Sequence, residues 1–109
     1  MANTFKLKTK ANVGVTTVGI YTAPAATTTV VIGITMANTS GSGVNVGVGI
    51  TRAGTTEDVK LLKNAPIPQG SSLEFMAGNK IVLETTATIT VDSDTNNSVD
   101  AALTIMEIT

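Results

Sequence analysis

Between Thr27 and Ile50 the chain reads TTTVVIGITMANTSGSGVNVGVGI, a run in which branched aliphatics alternate with Gly, Ala, Asn and Thr. Val30, Ile32, Ile34 and Met36 stand at alternate positions, answered after a Thr39–Ser42 turn by Val44, Val46, Val48 and Ile50. Gly33, Thr35, Ala37, Asn45, Gly47, Gly49 and Thr51 fill the places between. Successive side chains of a strand point to opposite faces, so alternation of this length predicts one long antiparallel β-hairpin with a buried aliphatic side. No helix-length window elsewhere places apolar residues at i, i+3, i+4 and i+7 between good caps.

The same reading along the chain predicts strands near Phe5–Thr9, Thr16–Tyr21, Thr28–Asn38, Gly43–Arg52 and Asp58–Lys63. Others follow at Ser72–Met76, Lys80–Glu84, Thr88–Asp92 and Val99–Glu107. Between them lie turn sequences: Thr39-Ser40-Gly41-Ser42, Ala53-Gly54-Thr55-Thr56, Pro68-Gln69-Gly70, Ala77-Gly78-Asn79 and Asp92–Asn97. Their Gly and Asn residues supply the positive φ that tight connections need. Many short strands with frequent turns predict an all-β chain, a single antiparallel β-sandwich of about eight strands over residues 1–109, jelly-roll or immunoglobulin-like. With aromatics at 3% of 109 residues, its core has to be built from Val, Ile, Leu and Met.

Chemistry is limited by residue types that are missing. There is no histidine, the usual general base near neutral pH, and no cysteine, the usual thiolate nucleophile or disulfide former. Carboxylate pairs drawn from Glu57-Asp58, Glu74, Glu84 and Glu107 are the remaining acid–base candidates, but glycosidase-type sites sit beside aromatic sugar platforms and the chain has no tryptophan. The sequence therefore reads as non-enzymatic, without a cofactor. Asp92-Ser93-Asp94-Thr95-Asn96-Asn97 opens like a calcium loop, yet Asn97 and Leu103 occupy the places where such a loop needs Gly and Glu. A looser site from Asp92, Asp94 and Asp100 stays open beside an Asx-stabilised turn.

No apolar h-region follows the N-terminal MANTFK, and no apolar run is long enough to span a bilayer, so the expectation is a protein made in the cytoplasm, without a signal peptide or membrane partner. The sequons Asn38-Thr39-Ser40 and Asn96-Asn97-Ser98 are then turn sequences. A net charge of −1 and few rings give no footprint for nucleic acid. Charge is nevertheless divided: residues 1–56 carry Lys6, Lys8, Lys10 and Arg52 and no acid, whereas all eight acids lie beyond. In an extended segment Lys6, Lys8 and Lys10 share one side while Phe5, Leu7 and Thr9 take the other, which suits an edge strand or an N-terminal docking arm over residues 1–10.

Two features predict contact with another polypeptide. Glycine inside a strand marks a bulge or the close approach of a second backbone, and Gly33, Gly47 and Gly49, with Thr35 and Ala37, would make one small-residue outer side of the hairpin. The last strand offers Val99, Ala101, Leu103 and Ile105 on one side but also Met106 and Ile108 on the other, as a strand ending in a subunit contact would.

The order of elements resembles the small single-domain virion structural proteins of tailed bacteriophages, particularly those of marine cyanobacterial phages. The likeness rests on MANTFK, on IYTAPAATTTVVIGITMANTSG leading into GVNVGVGI, on KNAPIPQGSSLEF and NKIVLE, and on the ending VDAALTIMEIT. Where relatives place a Gly-Asp turn before the penultimate strand, Glu84-Thr85-Thr86-Ala87 stands here. The resemblance implies a virion component, and a capsid decoration or cement subunit fits it best. Such a subunit would be a homo-oligomer, expected to be a trimer, bound to a major capsid or other virion protein. A tail or neck subunit, a carbohydrate-binding sandwich using Tyr21 as a platform, and a self-polymerising filament subunit donating its first strand are the alternatives.

Overall fold

Residues 3–52, 58–75 and 80–109 are described by a computed structural model. Among these residues the alternation becomes nine strands: β1 (Asn3–Val13), β2 (Val18–Thr22), β3 (Thr28–Asn38), β4 (Val44–Thr51), β5 (Asp58–Ile67), β6 (Ser72–Phe75), β7 (Ile81–Leu83), β8 (Thr88–Ser93) and β9 (Val99–Ile108). The first sheet runs β1-β9-β3-β6, with β7 also paired to β3; the second runs β2-β8-β4-β5. Every one of these pairings is antiparallel. The chain changes sheet at nearly every connection, the interleaved order of a jelly roll, so the all-β sandwich expected from the sequence is the observed fold.

The expected hairpin is not there. β3 lies in the first sheet and β4 in the second, so the segment between them is an arch that crosses the sandwich. Alternation reports which side a residue faces and says nothing about which strand it pairs with, so an arch and a hairpin have the same pattern. A register shift between Val31 and Gly33 changes the core assignments too. Thr29 and Val31 are buried ahead of it, and Ile34 and Met36 after it, while Val30 and Ile32 are only half-buried. One extra residue in a strand exchanges its two faces.

The inner faces meet in an aliphatic core that includes Val31, Ile34, Met36, Val46, Val48, Ile67, Leu83, Ile89, Val91, Leu103 and Ile105. β5 extends beyond the expected Lys63 to Ile67, with Asn64 at φ 56° where its register against β4 shifts. Pro66 is tolerated because β5 is an edge strand. Gly70 at φ 75° and the bond from Ser71 N to Pro68 O, 3.1 Å, form the turn expected at Pro68-Gln69-Gly70. In the Glu84–Ala87 loop Thr86 takes φ 68°, and Ala87 N donates to Glu84 O at 3.0 Å. The turn segments at 53–56 and 77–79, with Glu57 and Met76, lie outside the described residues.

Asn38 sets the arch. Its side chain is buried, and Nδ2 donates to Ser42 O (2.8 Å) and to Ile67 O (3.0 Å). Oδ1 accepts from Ser40 N (2.9 Å) and Ser40 Oγ (2.8 Å). The backbone adds Asn38 N to Ser71 O (2.9 Å) and Thr39 N to Ser98 O (2.8 Å). Buried carbonyls need partners, and here one amide serves the end of β3, the start of the crossing and the end of β5. Replacing it by Ala leaves those carbonyls unpaired, so Asn38→Ala should cost about 2–4 kcal/mol in urea unfolding; a loss below about 0.5 kcal/mol, the size of an ordinary surface change, would contradict this role.

Candidate functional site

Registers across the first sheet define its outer face row by row. Phe5, Met106, Val30 and Val82 stand side by side on β1, β9, β3 and β7. Leu7, Thr104 and Gly33 form the next row, and Thr9, Ala102, Thr35 and Glu74 the one after. The face is bulky and apolar at one end, with Phe5 68%, Leu7 65% and Val82 57% exposed and Met106 and Ile108 half-buried. At the other end small residues, with Lys10 and Asp100 at the wall, leave a depression of about 340 Å³ lined also by Thr9, Ala11, Thr35, Ala37 and Ala102. Asp100 and Glu74 are the acids on these rows, and both lie at the small-residue end. Open space surrounds the position a Cβ would take on Gly33. Clustered exposed apolar residues of this kind mark contact surfaces.

Of the residues singled out from the sequence, Gly33, Thr35, Ala37, Met106, Ile108 and Phe5 share this face. Gly47 and Gly49 do not. They belong to β4 in the other sheet, because β3 and β4 are joined by an arch. Both are buried under the chain's own side chains: a Cβ on Gly47 would come within 2.5 Å of Asp92 Oδ1, and one on Gly49 within 2.9 Å of Asp58 Oδ1 and 3.1 Å of Thr90 Oγ1. Their glycines make room for a polar cover in which Lys60 Nζ lies 3.0 Å from Asp58 Oδ2 and 3.9 Å from Asp92 Oδ2. Leu7, Val30 and Val82 complete the first sheet's face; Leu7 was legible as a neighbour of Phe5, whereas Val30 was hidden by carrying the alternation through the bulge.

The lysines of β1 take the opposite side of that strand. Lys6 pairs across with Ile105, Lys8 with Leu103 and Lys10 with Ala101, all core-facing positions. β1 is thus an edge strand hydrogen-bonded along β9, in place of the free docking arm that the sequence left open. Lys6 Nζ meets Glu107 Oε1 at 2.9 Å, and Lys8 Nζ sits 6.0 Å from the centre of the Tyr21 ring. Tyr21 Oη donates to Glu107 Oε2 at 2.5 Å and lies 2.8 Å from Thr29 Oγ1. Burial and the bond to Glu107 push the Tyr21 phenol up to about 12, while the bonds from Tyr21 and Lys6 hold Glu107 below the usual carboxylate range. At 7% exposure Tyr21 is no sugar platform, which corrects the role that the carbohydrate alternative gave it.

The remaining carboxylates are dispersed. Asp58 and Asp92 hold Lys60, Glu84 holds Arg52 at 3.2 Å on the surface, and Glu107 holds Lys6. Asp94 Oδ1 accepts from Asn45 N (3.1 Å) and Thr95 Oγ1 (3.0 Å), and Asp100 Oδ1 accepts from Asn12 N (3.0 Å). Asp92, Asp94 and Asp100 therefore do not converge, and among the described residues no three acids gather as a metal site would need. Asn38 spends its amide on backbone carbonyls, so the first sequon is structural. A cleft of about 390 Å³ lined by Ile50, Val59, Leu83, Thr85 and Ala87 opens beside the Arg52–Glu84 pair. Among the described residues no helix is long and apolar enough to cross a membrane.

No protein-family model and no curated protein sequence matches the chain. Solved structures do. A chain of the acid-stable capsid of Helicobacter pylori bacteriophage KHP30 superposes with TM-score 0.58 at 10% identity, over 98% of this chain and 87% of that one. A chain of the infectious bursal disease virus T13 particle gives 0.61 at 14% identity over 96% of this chain. The fold is one that viral capsid proteins share. The chain spans 30% of the bursal virus protein, so the likeness there is to one part of it. A subunit of Bacillus endospore appendages, described as disulfide-linked pili, matches with TM-score 0.57 and 14% identity over 99% of this chain and 87% of its own.

Two outcomes follow from this geometry. Gly47→Ala should destabilise by about 1–3 kcal/mol through crowding against Asp92 and the Leu62 carbonyl, without changing oligomer mass; an unchanged unfolding midpoint would contradict it. Folding lowers the Glu107 pKa, so its stabilising share is complete above the unfolded value of 4.5 and is lost as the pH falls through the lowered folded value. The melting temperature should thus fall more steeply on acidification below pH 4.5 in the native chain than in Glu107→Gln, and parallel curves would contradict the pairing.

Proposed function

We propose that the chain is a non-enzymatic structural subunit of a virus particle, most specifically a capsid decoration or cement protein that reinforces a shell by many noncovalent contacts. Its partners would be copies of itself and a major capsid or other virion protein, and its location the virion. The observation that carries this reading is the outer face of the first sheet, an exposed apolar surface on a sandwich that spends most of its described acids on its own lysines, arginine and backbone. The capsid-protein fold supports it. Repetition over a symmetric lattice lets modest single contacts add up to firm attachment.

The alternatives are less well supported. A carbohydrate module loses its platform because Tyr21 is buried. A filament subunit donating its first strand would have to release β1 from its own sheet, where it pairs along β9 from Asn3 to Val13 and Lys6 is bonded to Glu107. Disulfide linkage of the kind named for the spore appendages has no cysteine to use.

The test is co-sedimentation of the purified chain with capsid shells produced from the same genome. Saturable binding at a fixed copy number per shell, with a raised shell melting temperature, is expected. Shells that bind no chain would overturn the proposal.

A further inference from the structure

We infer that the outer face of the first sheet pairs with the same face of a second copy, about a two-fold axis running across the strands along the Leu7–Thr104–Gly33 row. This rests on reading that face as a contact surface and names what covers it. Rotation about such an axis exchanges the rows on either side of it. The register then sets Phe5 opposite Thr9 of the second copy, Met106 opposite its Ala102, and Val30 opposite its Thr35. At these three places a large side chain meets a small one, twice by symmetry, as two interdigitating sheet faces require, while on the outermost strands Val82 faces Glu74 of the second copy at the border of the contact. The bulky end of one copy enters the depression beside Ala102 and Thr35 of the other.

The middle row fits the axis. Gly33 has nothing within 4 Å of its Cβ position and no positive φ, so neither its own fold nor its backbone demands glycine. A second backbone approaching on the axis does.

Area supports the same occupant. Strands about 4.8 Å apart, with outward residues about 6.8 Å apart along each, give this face on the order of 600 Å² per copy. Two copies together bury about 1,200 Å², at the threshold of specific stable interfaces. The same rotation sets Glu74 opposite Val82 and Asp100 opposite Ile108 of the second copy, on the outermost strand and the outermost row, and both carboxylates are exposed in the single chain. The pairing is two-fold, where the sequence led to a trimer.

The experiment is sedimentation equilibrium at micromolar concentration. The native chain should have twice the 11.1 kDa subunit mass. Met106→Lys puts a charge opposite Ala102 and should weaken pairing by about 100-fold or more, and Ala102→Glu should do the same. Mixing the two variants should restore the dimer, because the ammonium introduced by Met106→Lys in one copy then faces the carboxylate introduced by Ala102→Glu in the other, while the second junction keeps its native Met106 and Ala102. Restoration also shows that both variants fold. A monomeric native chain, a Met106→Lys variant that stays dimeric, or a mixture that stays monomeric would each overturn the inference. A native monomer that still binds capsid shells refutes the pairing alone; a dimer that ignores shells refutes the particle reading and leaves the pairing standing.

Discussion

The sandwich depends on the buried amide of Asn38. A chain leaving a central strand of one sheet to enter the other has to break its ladder of backbone bonds inside the molecule, where unpaired carbonyls are costly. Asn38 answers this at one point by bonding Ser42 O and Ile67 O, while its backbone amide reaches Ser71 O. Residues 38–42 and 67–71 meet there, joined by Ser98 through its carbonyl bond from Thr39 N. Without that junction the carbonyls of Ser42 and Ile67 would be left without their partner at the crossing.

Once the crossing is in place, the two outer faces differ in kind. The second sheet carries its own polar cover over Gly47 and Gly49, with Lys60 held between Asp58 and Asp92. The described residues of the first sheet carry none, and its rows run from Phe5, Met106 and Val30 to Thr9, Ala102 and Thr35. This asymmetry gives the molecule one finished side and one side suited to contact.

Much of the architecture was legible because alternation and turn residues are local signals. All nine strands occur near the expected positions, and the final strand buries Val99, Ala101, Leu103 and Ile105 on the expected side. Strand partnership is not local, so the arch between β3 and β4 passed for a hairpin and drew Gly33 and Gly47 onto one imagined surface. The bulge beside Ile32 inverted the sides of Val30 and Val31; Gly33 sits at it, and in the sequence the same glycine reads as the close approach of another chain instead. Tyr21 looked like a free ring because its partner Glu107 lies at the opposite end of the chain. For the contact face, the Phe5, Met106 and Ile108 signals were visible singly, and only the β1–β9–β3 register assembled them.

That register also dictates an order of events. β1 and β3 both pair with β9, so neither can complete its ladder until residues 99–108 have left the ribosome. Until then the first strand is an unpaired edge, a template for misassembly with other copies. Three like charges at alternate positions discourage those copies from joining in register during the wait. The lysines that lie against Glu107 and Tyr21 in the folded chain therefore also oppose pairing between first strands while β9 is unavailable to them.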